Sequence, residues 1–215
     1  MLVFIIIFIY IALLPHNLQG KIFEDYGYST DNFLGGKPWV IFTSLFLHGS
    51  VSHLILNMIA LFFFGGAVEE RLTGRKYLLI FFSGGLLGNL ISSLFYSPSQ
   101  IAVGASGAIF ALMGAAILIK PFEFILFPFL IPIPIVLVGL IMILGNIMAI
   151  LSGAETNIAY EAHITGFLVG LAFGFKEERS LKGLIVALLL LGVIILFPVV
   201  LSVLLMFDYT SFAVS

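Results

Sequence analysis

The chain has 215 residues, of which 61% are hydrophobic and 9% charged, with a formal net charge of −2. Soluble domains carry roughly 25% charged residues, so there is too little charge here to coat a water-soluble globule and too much apolar surface for disorder. No basic cluster tracks a phosphate backbone, which excludes nucleic acid as a partner, and the absence of cysteine removes disulfides, Cys-based zinc sites, iron–sulfur clusters and thiol nucleophiles.

What remains is a polytopic membrane protein: all-α, a helical bundle, and one domain over 1–215. A membrane helix needs about 20 predominantly apolar residues. In chain order the candidate spans are 2–14, about 50–68, 77–96, 104–119, one within 124–151, about 158–175, and 183–207. The first is short, but no basic residue precedes it and no small-residue cleavage site follows, so it reads as a helix rather than a signal peptide. Pro128, Pro132 and Pro134 make the fifth span irregular. No heptad, repeat or low-complexity tract breaks the chain into further units.

Orientation follows from the basic residues. Arg71, Arg75 and Lys76 lie between spans two and three, Lys120 between four and five, and Lys176, Arg179 and Lys182 between six and seven. These loops fall on one side, and only Lys21 and Lys37 fall on the other. The basic side is cytoplasmic by the positive-inside rule, which puts the N-terminus inside and the C-terminus outside. Loops 15–49, 97–103 and 152–157 then face outward. The first is long, carries Gly35, Gly36, Pro38 and Trp39, and is expected to be structured and partly interfacial.

Polar groups inside a bilayer are costly and are functional suspects. They are few: His48, His53, Asn57, Asn89, Ser106, Asn146, Glu161 and His163. Spans two, four and six each begin at the outer face. His48 and His53 stand at the start of span two with Asn57 one turn deeper, Ser106 starts span four, and His163 lies two turns into span six. Three helices thus carry Asn, Ser and His at similar depth below one surface.

Singly, each residue has a plainer reading. A serine at a helix start is usually a cap, small-x-x-x-small faces are common packing devices, and Asn89 and Asn146 read as helix–helix hydrogen bonds. Glu161 reads as solvated, and His16 as a loop residue without a partner. Together the residues say more. Ser106 sits in Gly104-Ala105-Ser106-Gly107-Ala108 at a helix start, where unpaired N–H groups could hold an oxyanion. His163, Gly166 and Gly170 share one helical face. Glycines there let span six approach span four closely enough for a Ser106–His163 hydrogen bond. His53 and Asn57 share a face and could donate into the same site.

The ordered set His48-x-x-x-x-His53-x-x-x-Asn57, Gly104-x-Ser106-Gly107 and Ala162-His163-x-x-Gly166 resembles the rhomboid intramembrane serine proteases. The stretch Gly66-Ala67-Val68-Glu69-x-Arg71 also fits that family, and the resemblance runs from about Trp39 to Gly174. It implies a six-helix core over about 1–176, with an additional C-terminal helix at about 183–207. It implies Ser106 as nucleophile and His163 as general base. Asn57, His53 and the Ser106 N–H would form the oxyanion hole, and His48 would support it. Glu69 and Arg71 would be structural, and span five with the loop after it a lateral gate. There are two departures. Trp39-Val40 stands where Trp-Arg is frequent, and Phe110 where a tyrosine often packs on the histidine. Phe110 keeps the aromatic face and loses the hydroxyl.

The reaction expected is peptide hydrolysis within transmembrane helices of membrane-protein substrates, in the lipid bilayer. His163 takes the Ser106 proton during attack and returns it to the leaving amine. No aspartate lies in spans two to six, so a Ser–His dyad is expected, with no metal and no cofactor. The expected location is a prokaryotic plasma membrane. A transporter would need an intramembrane carboxylate pair or an inverted repeat. A metalloprotease would need H-E-x-x-H, whereas His48 and His53 are five apart with no Glu between. A catalytically dead binding protein would have no use for Ser106 and His163.

Overall fold

The computed structural model describes residues 1–126, 131–153, 158–178 and 181–212. Expectations that fall on Pro128, Arg179 and residues 154–157 lie outside them. Helix α1 (Leu2–Ala12) ends before Pro15, which stands at the N-cap of α2 (His16–Tyr26). Proline disfavours helix in the residue before it, so the chain turns there instead of extending its first span. His16 is therefore the first residue of a helix and not a loop residue.

The remainder of the first outer segment folds on itself. It contains α3 (Thr30–Leu34), capped by Ser29, then α4 (Val40–Thr43) and a 3₁₀ turn at Ser44–Phe46. Trp39 Nε1 donates to the Asp25 carbonyl at 3.1 Å, Thr43 Oγ1 to the Tyr26 carbonyl at 2.7 Å, and Lys37 pairs with Asp25 at 2.8 Å.

Ser50 starts α5 (Val51–Ala60) by accepting from the His53 N–H at 3.1 Å. A π-helical turn at Leu61–Gly65 carries it into α6 (Gly66–Glu69). Among the described residues this continuous stretch, Val51–Glu69, is the one helix both long and apolar enough to cross a membrane. Then come α7 (Gly74–Ser92) and α8 (Ser106–Ile119). The strands β1 (Phe124–Leu126) and β2 (Pro132–Pro134) pair antiparallel, Ile125 opposite Ile133. The described residues of the first third of the fifth apolar stretch thus include two paired strands rather than helix. Pro132 and Pro134 lack the N–H a helix interior needs, and Pro134 becomes the N-cap of α9 (Ile135–Leu151). The last helices are α10 (Tyr160–Glu178) and α11 (Leu181–Phe212), with Pro198 inside α11.

Small residues fix how the helices meet. Every residue of α8 from Gly107 to Leu118 is buried. Gly166, Gly170 and Gly174 of α10 stand against Gly107, Ala111 and Ala115 of α8, and a methyl at Gly166 or Gly170 would overlap a backbone carbonyl oxygen. Both rows advance four residues per step in the same direction, so α8 and α10 run parallel. Gly84 and Gly85 of α7 face Ala111 and Ala108 on the other flank, and a methyl at Gly88 would come 3.1 Å from the Ala162 carbonyl oxygen.

The two ends of the bundle differ. At one, Lys76 pairs with Glu177 at 2.5 Å, and Lys120 pairs with Glu123 at 2.6 Å and with Glu70. The hydrogen bond from Lys120 holds the Glu70 carboxyl below the usual carboxylate range. At the other, the Gly104 N–H donates to the Ser44 carbonyl at 2.9 Å, and Tyr28 pairs with Ala102. There the Tyr96 hydroxyl also donates to Glu161 at 2.5 Å, so Glu161 is partnered rather than simply solvated. The starts of α8 and α10 share this second end. Leu78, Ile141 and Leu189 point outward, each more than half exposed.

Candidate active site

Ser106 is the first residue of α8, and Ala105 before it makes no side-chain cap. The N–H groups of that first turn therefore remain beside the serine, since a helix leaves its first N–H groups without intrahelical partners. Gly104 lets the chain enter this way. Its φ is +123°, a conformation open to glycine, and a Cβ there would come 2.7 Å from His53 Cε1 and Nε2.

His163 is buried in α10, its Nε2 2.6 Å from Ser106 Oγ. The glycine contacts below it explain the reach, because Gly166 on Gly107 brings the two backbones together one turn away. Phe110 lies flat on the imidazole, with ring centroids 4.4 Å apart and planes 6° from parallel. Both the expected Ser106–His163 pair and the expected aromatic support are brought together.

The oxyanion candidates stand one step back. Asn57 is buried, and its side-chain nitrogen donates to the His53 carbonyl at 2.9 Å on its own helix. An amide nitrogen carries two N–H groups, so this bond leaves one available. The His53 ring packs on Gly104, two residues before the serine. His48 does not reach the serine. It is buried with its ring edge-on to His53 at 5.1 Å and to Phe4 of α1 at 5.9 Å, and it wedges His53 from behind.

Two neighbours of His163 are absent from the sequence-based site. Tyr160 meets the ring edge-on at 6.2 Å. Asn146 of α9 has its Oδ1 2.6 Å from His163 Nδ1. Asn146 is expected to bond between helices, and it does, with His163 as its partner. The signal lay in the sequence: Asn146 is the single side chain in Ile135–Leu151 that is not aliphatic, methionine or glycine. Asn89, by contrast, has a structural place, donating to the Ile41 carbonyl at 3.0 Å and to Ser44 Oγ at 2.9 Å.

The chain matches the family model of the rhomboid domain over residues 35–180. It is 31% identical over 169 residues to RHOMBOID-like protein 12, mitochondrial, of Arabidopsis thaliana, covering 70% of this chain and 50% of that one. It is 29% identical over 153 residues to the putative rhomboid protease YdcA of Bacillus subtilis, covering 67% of this chain and 71% of the relative. Over 80 residues, 37% of this chain and 15% of the relative, it is 41% identical to the rhomboid protease GluP of Bacillus subtilis. The chain thus spans half of the length of the Arabidopsis protein. A rhomboid-domain match over most of the chain, around a Ser106–His163 pair held by glycine contacts, makes this chain a member of the rhomboid family.

Proposed function

We propose that the chain is an intramembrane serine endopeptidase that cuts transmembrane helices of membrane-protein substrates. Ser106 is the nucleophile and His163 the base. The observation that carries this reading is the 2.6 Å contact between Ser106 Oγ and His163 Nε2, made across two helices that begin at the same end of the bundle. Ser106 Oγ attacks the scissile carbonyl as His163 Nε2 takes its proton, and His163 then protonates the departing amine. The oxyanion forms beside the Ser106 N–H, with the remaining Asn57 N–H and the His53 ring as further donors. Removing one such donor costs on the order of 10²–10³ in turnover.

The depth of the site has a geometric basis. Helix α8 has 14 residues, which at 1.5 Å per residue is about 21 Å, against a hydrocarbon core of about 30 Å. Its last turn leads to Lys120, whose ion pairs mark the aqueous boundary on the basic side. Ser106 then lies roughly 10 Å below the opposite surface. The chain before it descends as irregular backbone, which membranes tolerate where water reaches it.

The outward aliphatic side chains support a lipid-facing exterior, and the basic end supports a cytoplasmic N-terminus. We read one membrane-embedded domain: a six-helix core over about 1–176, and α11 as an added span. The direct test is cleavage of a single-span substrate in liposomes by wild type and Ser106→Ala. Cleavage by wild type with none by Ser106→Ala is the expected outcome. Equal cleavage by both would refute Ser106 as nucleophile.

A further inference from the structure

The Asn146 side chain has two ends, and both are occupied. Its Nδ2 donates to the Met142 carbonyl at 2.7 Å, one turn back on α9, and its Oδ1 faces His163 Nδ1 at 2.6 Å. The amide cannot be turned round without cost, because Oδ1 would then face the Met142 carbonyl oxygen, acceptor against acceptor. An acceptor at Nδ1 requires the proton to sit on Nδ1. Neutral imidazole carries one N–H, so Nε2 is left as the acceptor, and Nε2 is the atom that faces Ser106 Oγ at 2.6 Å. The hydrogen bonds therefore run one way, from Ser106 to His163 to Asn146 and on to the Met142 carbonyl.

We propose that Asn146, carried on α9, is a positioning residue that completes a Ser106–His163–Asn146 relay by fixing the tautomer and ring orientation of the base. This rests on the proteolytic reading above. It adds a neutral positioning residue behind the Ser106–His163 pair. The burial of Asn146, with 9% of its surface exposed, keeps water from substituting for its oxygen. Phe110 restrains the ring plane, but a half-turn about Cβ–Cγ would keep that plane while exchanging Nδ1 with Cδ2. The bond at Nδ1 stops that rotation.

The test uses the full chain in detergent micelles and liposomes, with three variants. Asn146→Leu removes the acceptor at nearly constant volume in an apolar helix, Asn146→Asp in its protonated form keeps a carbonyl oxygen where Oδ1 stands and an O–H facing the Met142 carbonyl, and Ser106→Ala is the blank. The expected result is a fall in kcat of roughly tenfold to a hundredfold for Asn146→Leu, with KM held and the fold retained, and substantial recovery in Asn146→Asp. A second readout needs no substrate. In selectively ¹⁵N-histidine-labelled protein, a downfield His163 ring N–H resonance is expected in wild type and in Ser106→Ala, and is lost in Asn146→Leu. Wild-type kcat in a folded Asn146→Leu, or persistence of that resonance, overturns the inference. Equal loss of kcat in Asn146→Leu and Asn146→Asp with lowered melting temperature also overturns it, as a packing role. The resonance is read without proteolysis, so failure of the relay is distinguishable from failure of the protease reading.

Discussion

The imidazole of His163 is held on its face by Phe110, at its edge by Tyr160, and through its nitrogens by Ser106 and Asn146. In the role of base proposed for it, an imidazole so confined would meet the transition state already oriented, which is where enzymes gain most from fixed polar groups. The Phe110 contact can be weighed alone. An aromatic pair is worth about 0.5–1.5 kcal/mol beyond its buried area. Phe110→Leu is therefore expected to lower kcat/KM about twofold to tenfold. Phe110→Tyr keeps the face and is expected to stay near wild type. Steady-state cleavage kinetics of the two variants check this, and equal losses in both would mean that shape rather than stacking matters.

The helices α8 and α10 form the frame on which the site depends. Gly166 and Gly170 contact backbone, not flexible side chains, so an added methyl has nowhere to go. Gly166→Ala must push α10 off α8, at a cost of about 1–3 kcal/mol, and Nε2 moves away from Oγ with it. Lower melting temperature and lost cleavage are expected together. Gly145→Ala on α9, where a methyl meets nothing within 4 Å, is the control and should leave both unchanged. If Gly166→Ala behaves like Gly145→Ala, the frame is misread.

This frame was legible in sequence because its signals are local and periodic: a glycine every four residues, a serine at a helix start, a histidine on the glycine face. Asn146 could not be assigned to the site because an amide in an apolar helix looks the same whether it meets a helix carbonyl or the His163 ring. Only the packing angle of α9 decides. The pairing of β1 with β2 was not legible because hydropathy reports apolarity without period, and Pro132 and Pro134 point to irregularity without naming its form. The helix in the first outer segment was hidden likewise: α2 reads as polar, and long-range contacts, with Asn32, Trp39, Lys37 and Thr43 among its partners, give it a place.

Among the described residues, large apolar side chains fill the core and many more of them, Leu78, Ile141 and Leu189 included, also face outward, where a water-soluble globule would carry charge. That arrangement, with two chemically distinct ends, predicts a sided topology. The absence of native cysteine makes it directly readable. Arg75→Cys should react with a membrane-impermeant maleimide only after cells are permeabilised, and Ser99→Cys should react in intact cells. The opposite pattern would invert the orientation and put the serine near the cytoplasmic face.

The central claim is that Ser106 is a nucleophile made reactive by His163. Labelling with a fluorophosphonate in liposomes, with the adduct located by mass spectrometry, tests it without any choice of substrate. The account predicts a single adduct on Ser106 in wild type, and none there in Ser106→Ala or His163→Ala. An adduct on Ser106 that forms as fast in His163→Ala as in wild type, or no adduct in a folded wild-type protein, would contradict it.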